Sequence, residues 1–321
     1  MIDGIVPGSG PVSITTRVHG LAPGEWTVRA DLMRLPGGDG RYRPGHDWSR
    51  VGSPPVHRAA WSWRRWALSI APATPVHTRW TPLVRLARLP AVIHGSWAAF
   101  VVAGVIAGLA LQGAILAQEG ISIGQSLAVS LLAVVSGLIG AKLWFIAQHP
   151  RSWRTSAGEG WSVNGFLVGT PLVGVAALLA FGLPIGVFLD ATAPALFFGV
   201  AIGRLGCFFT GCCAGRCTSA RWGVWSSDRR VGARRIPTQL LESFGGLMIG
   251  IATLILVLLH ASPIGGGIFV AGMATYVLLR HVLLQLRAEP HRPTLRTRLT
   301  AAVAALVLLA DATVFLLWPA T

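Results

Sequence analysis

The sequence predicts an all-α, multi-pass membrane protein of about seven transmembrane helices, preceded by a short irregular or β-like N-terminal extension. Three observations carry that prediction. Several apolar runs approach or exceed ~18 residues, the length that crosses ~30 Å of hydrocarbon at ~1.5 Å per residue. Charged residues are only 12% of the 321, about half the share of an ordinary soluble chain. Mean hydropathy is +0.60.

Two domains are expected, a basic extension over residues 1–88 and a seven-helix domain over 89–321. The extension holds Gly, Pro, Arg and Trp but no span-length apolar run. Val12, Ile14, Thr16 and Val18 alternate, a turn-like stretch from Gly20 to Gly24 follows, and Trp26, Val28, Ala30 and Leu32 alternate again. That pattern is a hairpin signature. Two strands do not make a stable domain alone, so the stretch reads either as the remnant of a β-sandwich or as disordered chain. Further on, Trp61, Trp63 and Trp66 interleave with Arg64 and Arg65, and Arg79, Arg85 and Arg88 follow. Trp and Arg together suit a membrane interface. Residues 1–20 lack the basic start and apolar run of a secretory signal.

The spans are expected near 91–117, 121–147, 165–188, 194–211, 238–260, 265–286 and 299–318. Glycine is abundant inside them, as expected where helix backbones approach closely. Net charge is +15 and almost wholly Arg. The arginines sit in the extension and in the 148–164, 212–237 and 287–298 loops. The loops around Gln118, Asp190 and His260–Gly265 carry no Arg or Lys. This placement fits anionic lipid head groups better than nucleic acid, and no nucleic-acid partner is expected. An odd number of spans puts all four basic segments on one face, which the positive-inside rule makes cytoplasmic.

Ionisable residues inside spans are costly and mark function by default. Arg204, Glu242, Arg280 and Asp311 are such residues, with Tyr276 and His94 beside them. Each has a plainer reading as well. Arg204 and Glu242 make sense as a buried structural ion pair, Arg280 as a side chain snorkelling from a span end, Asp311 as a packed polar residue and His94 as an interfacial one. The arginines of 216–235 read as a solvated, lipid-facing loop. Helical spacing places Arg204, Cys207 and Gly211 on one face, and Tyr276 and Arg280, four apart, on another. All four cysteines fall in one short segment, Cys207, Cys212, Cys213 and Cys217. Adjacent Cys212 and Cys213 with no nearby His suit a zinc site poorly. No metal and no cofactor are expected, and small buried hydrophobes are the simplest reading of the thiols.

At these residues the chain resembles the prolipoprotein diacylglyceryl transferases, bacterial inner-membrane enzymes with seven spans. Asp190-Ala-Thr-Ala-Pro194, then Gly203-Arg204-Leu-Gly206 with Phe208, is similar to the family's D-x-x-x-P…G-R-x-G-N-F signature. Gly211, Gly215 and Arg216 continue it, and Trp222-Gly-Val224 and Pro237-Thr-Gln-Leu-Leu-Glu242 resemble its W-G-V and H-P-[ST]-Q-L-Y-E elements. Ser136-Gly-Leu-Ile-Gly-Ala-Lys142 and the Tyr276/Arg280 pair complete an ordered series over roughly residues 89–318.

The resemblance implies transfer of the diacylglyceryl group of phosphatidylglycerol to the lipobox cysteine of a preprolipoprotein, at the bacterial plasma membrane. It implies an anionic phospholipid and preprolipoprotein signal peptides as partners. Arg204 and Arg280 fall to the lipid phosphate, since guanidinium binds phosphate oxygens bidentately, with Glu242 orienting an arginine and Tyr276 donating a hydrogen bond. Gly203, Gly206, Cys207, Gly211, Cys212, Gly215 and Arg216 fall to substrate binding. It also implies an outward-facing catalytic side, opposite to the reading from arginine placement.

The chain departs from the pattern at several positions. Cys207 stands for the signature Asn and Cys212 for a Glu. Gly169-Thr-Pro stands for a His-Gly-Gly, Ile236 for a His and Leu284 for an acid, and His94-Gly-Ser-Trp97 lacks a Tyr. These losses remove most acid–base candidates while keeping the arginines. The alternative reading is therefore a non-catalytic lipid- or lipoprotein-binding relative, or a transferase acting on another acceptor.

Overall fold

A computed structural model describes residues 92–93, 95–148, 160–229, 231–288 and 294–317, and before them only the short strands β1 (Ser13–Ile14), β2 (Gly24–Trp26), β3 (Leu32–Arg34), β4 (Ser49–Gly52) and β5 (Val76–Thr78). The Trp61–Trp66 segment, His94 and most of the 148–164 loop lie outside the described residues.

Among the described residues, seven helices are long and apolar enough to cross a membrane. They are α1 (Ser96–Gln118), α2 (Ile123–Gln148), α3 (Val163–Ala180), α4 (Ile185–Thr210), α5 (Thr238–Leu258), α6 (Gly267–Leu284) and α7 (Leu295–Leu317). Large apolar side chains stay exposed along them, among them Ile106 at 63%, Leu172 at 69% and Leu309 at 63%. A water-soluble fold would bury such faces; lipid tails solvate them. The protein is a multi-pass membrane protein.

The break between α3 and α4 differs from the expected one. The third span ends at Ala180 rather than 188, and the fourth begins at Ile185 rather than 194. Gly182, at φ +63°, takes the left-handed turn, and Pro184 precedes the first residue of α4, where its missing N–H costs no helix bond. Pro194, which reads as a helix start, is fully buried in the middle of α4. Asp190 is thus not in a loop but buried within a helix.

The chain divides into two compact units. One comprises residues 99–204, 242–282 and 292–321. Its core has two clusters, one around Leu116, Val129, Leu178 and Phe188, the other around Ala193, Phe197, Ile249 and Ile268. Small residues set the helix spacing: a Cβ on Gly104 would meet the Gly199 carbonyl at 2.7 Å, and one on Gly169 would meet the Ser136 carbonyl at 2.7 Å. A chain of buried hydrogen bonds ties three helices together. Ser130 Oγ donates to Gln112 Oε1 and Gln112 Nε2 donates to Thr192 Oγ1, each at 2.6 Å.

The other unit comprises residues 1–98, 205–241 and 283–291. Its centre is the antiparallel hairpin of β6 (Val224–Ser227) and β7 (Val231–Arg235). The expected N-terminal hairpin is replaced by other pairings: Ser13 and Ile14 pair with β7, and Gly24–Trp26 pair with Val76–Thr78. The edge of β7 offers β1 a ready ladder, while β2–β5 and β3–β4 form separate two-stranded pairs.

Candidate functional site

Three helices of the first unit bring two guanidinium groups and one hydroxyl to one carboxylate. Glu242 lies one turn into α5 and is 1% exposed. Its Oε1 accepts Arg204 Nη2 from α4 at 2.7 Å, Arg280 Nη1 from α6 at 2.7 Å, and the Tyr276 hydroxyl from α6 at 2.7 Å. A buried carboxylate alone is expensive, and charge-assisted donors at this distance are what make it tolerable.

The sequence folds this way locally for identifiable reasons. Glu242 sits beside Ser243, whose Oγ donates to the Ala201 carbonyl at 2.6 Å and so ties α5 to α4. Gly246 and Gly250 keep that contact close: a Cβ on either would stand 3.2–3.4 Å from α4 atoms of Phe197, Phe198, Val200 and Ala201. On α6 the four-residue spacing puts Tyr276 and Arg280 on one stripe. The Tyr276 ring packs against fully buried Phe197, centroids 5.8 Å apart, which fixes the hydroxyl. Asp190 holds the start of α6, accepting the Gly266 N–H at 2.8 Å and the Phe269 N–H at 3.1 Å. An acceptor there meets the positive end of the helix.

Within this group, two guanidinium cations face one carboxylate, so positive charge is in excess. The Arg204 side chain is 17% exposed and that of Arg280 is 38% exposed. A Cβ added at Gly203, next to Arg204, would meet no atom within 4 Å. These three charged groups together carry one more positive than negative charge, and the helix surface at Gly203 is open.

The rest of the glycine- and cysteine-rich stretch is built differently. Gly206 and Cys207 are buried on the last turns of α4. Gly211, at φ +72°, ends the helix. The loop after it is held by its backbone: Gln239 Nε2 donates to the Cys212 carbonyl at 2.9 Å, Thr238 Oγ1 to the Cys213 carbonyl at 3.1 Å, and Arg235 Nη1 to the Gly215 carbonyl at 3.1 Å. Arg216 bonds through its own N–H to the Leu286 carbonyl at 3.0 Å while its side chain is exposed.

Arg235 corrects the reading of 216–235 as a solvated loop. It is 3% exposed, because Asp228 Oδ2 at 2.9 Å and the carbonyls of Gly215 and Val231 fold its guanidinium inward. The positioning roles of Gln239, Thr238, Gln112 and Ser130 were not legible from sequence. The P-T-Q string before Glu242 was the only signal available for the first two. His94 lies outside the described residues.

The sequence profile of the prolipoprotein diacylglyceryl transferases matches residues 86–318, which include every residue of the α4–α6 cluster. The chain belongs to the prolipoprotein diacylglyceryl transferase family. Among relatives named phosphatidylglycerol–prolipoprotein diacylglyceryl transferase, that of Mycobacterium tuberculosis is 32% identical over 149 residues, 42% of this chain and 31% of the relative. The Rhodococcus jostii protein is 29% identical over 180 residues, 49% of each chain. The similarity thus spans 31–49% of the relatives' length.

Proposed function

We propose that the protein is a phospholipid-dependent transferase of the bacterial plasma membrane that moves the diacylglyceryl group of phosphatidylglycerol to a cysteine thiol of a preprolipoprotein. The observation that supports this reading best is the cationic cluster on Glu242 Oε1. In the reaction a thiolate attacks a glycerol carbon, a C–S bond forms, the C–O bond to phosphate breaks, and glycerol phosphate departs. The departing phosphate gains negative charge, so preorganised cations aimed at it lower the barrier. Arg204 and Arg280 supply them, held in place by the Glu242 carboxylate, whose Oε1 accepts both guanidinium groups and the Tyr276 hydroxyl. Tyr276 completes the clamp. Gly203 beside Arg204 leaves room for a lipid head group.

The test is complementation of a strain depleted of its own transferase, with lipidation of a lipobox peptide measured in membranes supplied with phosphatidylglycerol. A thioether-linked product that falls about a hundred-fold or more on Arg204→Ala supports the proposal; the absence of any product with the wild-type chain overturns it. A second reading, phosphatidylglycerol binding without turnover, draws on Cys207 and Cys212 standing where the family resemblance calls for Asn and Glu. It predicts lipid binding that weakens on Arg204→Ala while no thioether forms.

A further inference from the structure

Among the described residues, four helices end in the same way, and one of them ends on sulfur. In each, the N–H of the residue in the left-handed turn bonds three residues back, and the next N–H bonds five residues back, the double bond of a Schellman cap. Gly120 and Ile121 close α1 on Ala117 and Leu116; Gly182 and Leu183 close α3 on Leu179 and Leu178. His260 and Ala261 close α5 on Val257 and Leu256. Gly211 and Cys212 close α4 on Phe208 and Cys207, both bonds 3.1 Å.

This cap brings together the side chains of the two residues joined by the longer bond, normally as an apolar contact. The pairs are Leu116 with Ile121, Leu178 with Leu183, Leu256 with Ala261, and Cys207 with Cys212. Three are hydrocarbon, as the motif prefers. The fourth is a dithiol.

The local chemistry is consistent with a matched pair. Cys212 Sγ donates to the Cys207 carbonyl at 3.8 Å, which sets the thiol beside that residue. All four cysteines are thiols in this structure. Cys207 is 6% exposed, Cys212 more so. Three carbonyls of the loop are held by Gln239, Thr238 and Arg235. Among the described residues no three His, Cys, Asp or Glu side chains converge as a metal-binding group. Cys213 is the weaker partner for Cys212. Adjacent Cα atoms stand only ~3.8 Å apart across a trans peptide, short of the ~4.4 Å minimum for an ordinary disulfide.

We propose that Cys207 and Cys212 form a redox site, a helix-cap dithiol that exchanges reversibly with low-molecular-weight disulfides. Cys212, the more exposed, loses its proton and attacks one sulfur of the disulfide, releasing one thiol and leaving a mixed disulfide. Cys207 then displaces the second thiol and closes the intramolecular bond. Two electrons and two protons pass from the pair to the disulfide, which leaves as two thiols. Hydrogen bonding to the Cys207 and Cys213 sulfurs, followed by burial, pushes the Cys212 thiol well above its ordinary value. A thiol of that kind attacks slowly and is a poor leaving group once oxidised, so the closed form opens slowly to competing thiols.

The experiment uses the full chain in detergent micelles, equilibrated with glutathione and glutathione disulfide over a range of ratios, then blocked with maleimide, digested and mapped by mass spectrometry. A Cys207–Cys212 crosslink that rises with the disulfide fraction and disappears with dithiothreitol is expected, and is retained when Cys213 and Cys217 are both changed to Ser. Cys207→Ser is expected to stop at glutathione attached to Cys212. Alkylation of both Cys207 and Cys212 at every ratio, or a crosslink that uses Cys213 instead, overturns the proposal. The wild-type map decides the matter even if the Cys207→Ser chain does not fold. The outcome is independent of whether the protein transfers lipid.

Discussion

Around Glu242, side chains hold one another; around Cys212, side chains from neighbouring elements hold the backbone. In the first region Arg204, Tyr276 and Arg280 converge on one carboxylate oxygen that is almost wholly removed from solvent. In the second, Gln239, Thr238 and Arg235 hold three carbonyls of a loop whose thiols play no part in that support. The difference teaches where substitution is tolerated. In the charged cluster the groups proposed for chemistry are also the groups that maintain the fold locally. In the loop the two jobs belong to different atoms, so the cysteine side chains there can change with less effect on the loop's shape than those of the cluster.

That contrast can be broken or sharpened by experiment. The largest effect is expected from Glu242→Ala, which leaves two guanidinium groups and a hydroxyl without their shared acceptor. Breaking a buried pair in this way costs about 3–5 kcal/mol. Thermal unfolding in detergent is expected to shift sharply downward together with any transfer activity; an unchanged midpoint means the cluster carries no structural role. A smaller effect is expected from Tyr276→Phe, which keeps the ring against Phe197 and removes one hydrogen bond to a charged group, about 1.5–3 kcal/mol. Transfer is expected to fall by roughly ten-fold or more, and the unfolding midpoint to fall by less than in Glu242→Ala.

The smallest effects separate backbone support from side-chain identity in the loop. Cys213→Ser is expected to stay within about 0.5 kcal/mol of the wild type, because Thr238 bonds the Cys213 carbonyl and not its thiol. Thr238→Val removes that bond and is expected to cost about 1 kcal/mol. The reverse order in a paired unfolding measurement would show that the sulfur, not the carbonyl, secures the loop.

Much of this was legible in advance, for reasons that lie in the medium. Lipid demands apolar spans of fixed length, so five of the seven helices lie within a few residues of their expected bounds. It also makes ionisable residues rare inside spans, which is why Arg204, Glu242, Tyr276 and Arg280 stood out from sequence. The misplaced boundary between the third and fourth helices has a local cause. Pro194 reads as a helix start, yet neighbouring helices can absorb one missing bond, and Gly182 with Pro184 makes the actual break. The N-terminal strands were misread because pairing partners lie far along the chain, Ser13 with Gly232 and Gly24 with Thr78.

The sequence by itself determined the class of the protein, the number of its spans, its family resemblance and the residue types able to meet a phosphate. Hydrophobicity and charge are properties of each residue, and they act whatever the partners. Which groups meet was decided only by tertiary structure: that three donors share a single oxygen of Glu242, that Asp190 holds the start of α6, that Arg235 turns inward, and that a helix cap sets Cys207 against Cys212. Those are distances between residues remote in sequence, or turn geometries set by hydrogen bonding. They exist only once the helices have packed.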